Sequence, residues 1–94
     1  MMLKQFTLAP ERRTKRDRFV IISAMLSHAT GGVCKTELMY KVGLSFAQAG
    51  IYLEVLMNSE LLEVADCSRK PLYRTTEKGK RFLHMFDALV SMLA

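Results

Sequence analysis

The spacing of apolar residues changes period twice along this chain. From residue 19 to residue 57 they recur every three or four positions, the helical repeat. Phe19, Ile22, Ser23, Leu26 and Ala29 share one face, widened by Val20, Ile21 and Met25, and predict a first helix over residues 12–29, with its ordered core from about Arg16. Pro10 suits a first turn, and Thr14 followed by Asp17 resembles a capping box. Thr30-Gly31-Gly32 stops this helix, because glycine takes the left-handed backbone of a C-terminal cap. A short helix follows from Lys35 to Val42, broken at Gly43. A longer one, about residues 45–58, is capped by Ser45. In it Phe46, Ala49, Leu53 and Leu56 form the expected inward face, leaving Gln48, Ile51, Tyr52 and Val55 outward.

At residue 61 the repeat shortens to two. Leu61 to Asp66 and Leu72 to Thr75 alternate as strands. The linking loop at 67–71 carries Arg69 and Lys70, and Pro71 marks its end. The helical period then returns. Thr75 or Thr76 caps a last helix, and Gly79 in its first turn costs about 1 kcal/mol relative to Ala unless something packs closely there. Phe82 with Leu89 and Met85 with Met92 stand seven apart, the spacing of a helix seam. With Phe86 and Leu93 they make an apolar face that either pairs with a second copy of the chain or folds back onto the first helix; the size of the patch favours the dimer.

Three helices with a turn between the second and third, followed by a hairpin, predict an α+β, mostly α, winged helix-turn-helix. The expected division is an N-terminal arm over 1–11, the winged domain over 12–76 and a dimerisation helix over 77–94. In the arm, Leu3, Phe6 and Leu8 alternate as in a short edge strand.

Charge sharpens the picture. The chain of 94 residues has a net charge of +5. Residues 1–18 hold six basic residues against two acidic, leaving +4; the remainder holds eight against seven, leaving +1. A basic segment favours polyanions through counterion release. Cys34 and Cys67 form no CxxC pair, and His28 and His84 are isolated, so no metal is expected. No Ser/His/Asp set and no phosphate-cradling glycine loop is present, so neither catalysis nor a cofactor is expected. The lack of a signal-like start or a membrane-length apolar run points to a cytoplasmic protein with free thiols.

The stretch over residues 31–83 resembles small archaeal winged-helix domains. Lys35-Thr36, Met39-Tyr40, Leu44-Ser45, Tyr52-Leu53 with Leu56, Leu61-Leu62, Tyr73, Thr75 and Glu77-Lys78-Gly79 carry the resemblance. Members include predicted transcriptional regulators and small DNA-binding proteins that dimerise through a C-terminal helix. Two positions depart from the pattern. Asn58-Ser59-Glu60 replaces the usual Lys-Gly turn, and the third helix is poor in Lys and Arg, which weighs against strong sequence-specific binding.

The expectation is a homodimer on double-stranded DNA. The third helix enters the major groove with Ser45, Gln48 and Tyr52 near its start. Gln48 suits adenine; Tyr52 reaches a phosphate or base edge, or else belongs to the core. Lys35 and Thr36 offer a helix start to phosphate, Lys41 flanks it, and Arg69 and Lys70 touch phosphates or a minor groove. Arg12, Arg13, Lys15 and Arg16 add contacts without sequence preference. The alternative is a protein–protein module, supported by outward Ile51 and Val55 and by seven adaptable methionines.

Overall fold

The computed structural model describes residues 17–66 and 69–93. Its elements run α1 (Arg18–His28), α2 (Lys35–Val42), α3 (Phe46–Asn58), β1 (Leu62–Asp66), β2 (Leu72–Thr75) and α4 (Glu77–Leu93). This is the order of a winged helix. The alternating arm and the cations at 12–16 lie outside the described residues. Among the described residues the helix predicted over 12–29 begins at Arg18, as its apolar pattern from Phe19 allows, rather than at the Pro10 and Thr14 signals. Asp17 takes an extended backbone and caps α1 itself, its carboxylate accepting from the Phe19 N–H at 2.8 Å. Phe19, expected to face inward, is 43% exposed, because the core is reached instead by Ile21, Ile22, Met25, Leu26 and Ala29.

Those side chains meet Leu38 and Val42 of α2, Leu44 of the turn, and Ala49, Leu53 and Leu56 of α3 in one buried cluster. Gly43 has φ +80° and ends α2 with its N–H on the Met39 carbonyl. Ala, with its Cβ, would be strained there. The resulting sharp turn sets α3 across α2. Phe46 departs from its predicted inward place and is 67% exposed. It is the first residue of α3, and helical side chains lean toward the N-terminus, so this ring hangs beyond the helix end rather than over the core.

The end of α3 is closed by paired backbone bonds. The Leu61 N–H donates to the Leu56 carbonyl at 2.8 Å and the Glu60 N–H to that of Met57 at 3.0 Å. This is the two-bond arrangement that usually places glycine at its left-handed position. Here Glu60 occupies it, at φ +64°. The departure from Lys-Gly therefore leaves the turn intact but strains it.

β1 and β2 pair antiparallel, with Leu62 opposite Thr75, Glu63 opposite Arg74 and Val64 opposite Tyr73. Val33 adds a short third rung that the alternation pattern does not reveal: its N–H donates to the Tyr73 carbonyl at 2.9 Å and its carbonyl accepts from Tyr73 at 2.8 Å. Thr75 is buried, and its hydroxyl donates to the Leu26 carbonyl at 2.6 Å. Thr76, the next residue, donates to the Glu60 carbonyl at 2.7 Å and accepts from the Gly79 N–H at 3.0 Å, so Thr76 is the cap of α4.

Gly79 is buried, and a methyl added there would collide with the Leu61 carbonyl oxygen and stand 2.6 Å from Thr75 Cγ2. The close packing that would justify a helical glycine is present. Gly79→Ala, stabilising by about 1 kcal/mol in an open helix, should therefore lower stability by ~1–3 kcal/mol in urea unfolding. A raised midpoint would mean that α4 does not sit against Leu61 and Thr75. Glu60→Gly, by contrast, should raise stability by about 0.5–1 kcal/mol in the same measurement, since it relieves the left-handed strain at some entropic cost.

Candidate nucleic-acid interface

The start of α3 is held by a reciprocal cap. The Gln48 N–H donates to Ser45 Oγ at 3.1 Å, and the Ser45 N–H donates to Gln48 Oε1 at 3.0 Å. Ser45 and Gln48 are thus brought together at an exposed helix start, as their spacing predicts. The bond has a consequence for Gln48: the carboxamide oxygen that would face an adenine amino group already caps the helix.

Lys35 reaches the same end of α3 from α2. Its Nζ lies 3.5 Å from the centroid of the Phe46 ring. It also passes over Gly50, where a Cβ would meet Nζ at 3.4 Å. A cation on an aromatic face contributes roughly 0.5–1 kcal/mol when exposed. Here it also holds the ammonium against the first turns of α3, near the helix end whose dipole favours an anion. Phe46 is the contributor that a face count misses; its place directly after a capping serine is the signal that could have found it.

The other expected residues are spread over three elements. Thr36 is exposed in the first turn of α2. Cys34 caps that helix by backbone alone, with no side-chain bond. Lys41 lies 3.7 Å from Glu37 on the surface of α2. Tyr52 is half-buried and packs against the core cluster. Arg69 and Lys70 are exposed between β1 and β2. Below them Arg74 donates through Nε and Nη2 to one Glu63 oxygen, at 3.1 and 3.0 Å, clasping the two strands. Arg12, Arg13, Lys15 and Arg16 lie outside the described residues.

The outward side of α3 is otherwise apolar. Ile51 is 62% exposed and Val55 46%, and exposed Ala47 continues their line one turn earlier. Between Phe46 and Asn58 the one charged residue is Glu54.

A second apolar surface lies on α4. Phe82 and Leu83 are half-buried against the core, so the first half of this helix does fold back on its own chain. Phe86 stacks nearly parallel to Phe82, centroids 6.3 Å apart. Further on Met85, Leu89 and Val90 are exposed, with Met92 at 78% and Leu93 at 87%.

Against known proteins, a family model described as winged helix-turn-helix matches residues 15–94. No curated protein sequence matches the chain. Among solved structures, it is similar to Sso10a-2, a DNA-binding protein from Sulfolobus solfataricus, with TM-score 0.75 and 22% identity over 82% of this chain and 81% of that one. It is also similar to MepR, a transcription regulator of the Staphylococcus aureus multidrug efflux pump MepA, with TM-score 0.70, 14% identity and coverage of 98% and 64%. The transcriptional repressor BigR from Xylella fastidiosa gives TM-score 0.63, 22% identity and coverage of 99% and 83%. At these identities the likeness is one of fold.

The reciprocal cap predicts a split between two variants. Gln48→Ala should cost about 0.5–1 kcal/mol in thermal or urea unfolding, whereas Gln48→Glu, which keeps an accepting oxygen at the same reach, should stay near the parent. Equal losses in both would show that the side-chain bond to Ser45 contributes nothing.

Proposed function

This chain belongs to the winged helix-turn-helix family, and from that premise we propose that it binds duplex DNA as a homodimer and regulates transcription. One observation carries the DNA reading. The start of α3 is exposed, capped by Ser45 and flanked by the ammonium of Lys35, while the other described residues leave its outer side uncovered. A helix of this diameter fits the major groove. The solved neighbours support the reading, since Sso10a-2 is a DNA-binding protein and a MepR variant is bound to an oligodeoxyribonucleotide.

Under this proposal Lys35, Thr36 and Lys41 meet phosphates on one side of α3, and Arg69 and Lys70 meet phosphates or a minor groove at the wing. Arg12, Arg13, Lys15 and Arg16 add contacts that do not depend on sequence. Ser45 and Gln48 stand at the groove floor, but Gln48 reads adenine only by sharing or releasing its cap. Tyr52 serves chiefly to seat α3 on the core.

The dimer reading rests on α4. Among the described residues its seam of Phe82, Met85, Phe86, Leu89, Met92 and Leu93 is covered by the core at the near end and left exposed at the far end. A helix of 17 residues is about 25 Å long, enough for a two-helix contact. Two copies would present paired α3 helices to half-sites about one DNA turn apart.

A second reading, a protein-binding module, draws on the lack of Lys and Arg in α3 and on exposed Ile51 and Val55. Salt separates the two. Affinity for a random duplex should fall steeply and log-linearly with salt, by about 0.9 in log–log slope for each phosphate neutralised. Arg69→Ala with Lys70→Ala should weaken binding to all sequences alike and flatten that slope by about 2 per protomer. Absence of binding at low salt would favour the protein module. For the dimer, sedimentation of Leu89→Lys with Met92→Lys should give a monomer where the parent gives twice that mass. A parent that sediments as a monomer would remove the α4 pairing.

A further inference from the structure

We infer that α3 recognises thymine methyl groups in the major groove, through the line formed by Ala47, Ile51 and Val55. The inference rests on the DNA reading above and deepens it.

Guanine is read by Arg or Lys paired to its O6 and N7, and no such residue occurs between Phe46 and Asn58. Adenine is read by Asn or Gln, and the Gln48 oxygen already caps the helix through Ser45. Asn58 stands at the far end, thirteen residues into α3. What faces outward along the middle is apolar: Ala47, Ile51 and Val55 recur every fourth position, forming one line about 12 Å long at 1.5 Å per residue. Thymine is the one base whose major-groove edge carries a methyl, and apolar side chains are its natural partner.

The surroundings favour a polyanion over a protein on this line. The stripe is a single residue wide. A cation is fixed at its near end, where Lys35 stands on Phe46, and two more lie on the wing at Arg69 and Lys70. An apolar strip with a cation fixed at one end matches a methyl-bearing groove flanked by phosphates. Glu54, on the outward side beside Val55, adds to the choice: its carboxylate accepts from a cytosine amino group but repels phosphate and the acceptor edge of guanine. The expected preference is therefore for A·T-rich steps under the helix centre, with guanine disfavoured on the strand that Glu54 meets.

The test replaces every thymine in an A·T-rich duplex by deoxyuridine, which keeps base pairing and charge and removes only the methyl. Each methyl covered by an apolar side chain contributes about fourfold in affinity, so with two or three methyls covered the parent protein should bind the uracil duplex roughly fifteen- to sixtyfold more weakly. Ile51→Ala with Val55→Ala, both exposed positions that leave the unfolding midpoint near the parent's, should bind the two duplexes within about fourfold of each other, the share left to Ala47.

Equal binding of both duplexes by the parent, with normal salt dependence, would overturn the methyl reading and leave DNA binding standing. A parent-sized loss that persists in the double variant would also overturn it, because the effect would then come from duplex shape. Failure to bind either duplex at low salt would remove both the inference and the reading beneath it.

Discussion

The hydroxyl of Thr75 anchors this structure. It is a buried polar group on a short strand, and it is satisfied by the carbonyl of Leu26, near the end of a helix 49 residues earlier in the sequence. A buried hydroxyl without a partner would cost roughly 1–3 kcal/mol, so β2 has one depth and one register at which it fits. The Thr75 N–H on the Ala29 carbonyl repeats the constraint one atom group away. Thr76 then ties the same strand end to the turn after α3, and Gly79 lets α4 close over Leu61. The wing, the end of α3 and the start of α4 are therefore fixed at one junction, through residues that would never touch a ligand.

Much of this architecture is readable from residue spacing. The period of three and four, the switch to two at residue 61 and its return after Thr76 place every described element, and Leu72–Thr75 falls at its expected limits. The Ser45 cap and the Gly43 break are local chemistry and need no tertiary information. The failures have the opposite character. Phe19 and Phe46 obey the helical period yet are largely exposed, because each sits at a helix start where side chains lean past the helix end. Val33 belongs to a strand of one rung, too short to alternate. The partners of Thr75 lie far away in sequence, and no local pattern announces them.

The candidate site is less legible than the fold for a related reason. A list of outward polar residues names Ser45, Gln48, Lys35 and Lys41, but it cannot show that two of these bond to each other, that the third lies on an aromatic ring and that the fourth lies beside Glu37. Side chains counted as available for recognition are partly spent on holding α2 and α3 in shape. The surface left over is apolar along the outer side of α3, with the Lys35 ammonium at its start. Under the proposed DNA reading, α2 and the wing supply the charge that a helix without a single Lys or Arg lacks, while the helix itself contributes shape. On α4 the division is similar, with the near end committed to the monomer core and the far end uncommitted.

The most direct measurement is a titration of the isotope-labelled protein with a short A·T-rich duplex, followed by amide chemical shifts. The account predicts that the largest changes fall on Ser45 to Val55, on Lys35 and on Arg69 and Lys70, with the core strands and the far end of α4 unmoved. Changes confined to α4, or shifts scattered evenly over the surface, would contradict it.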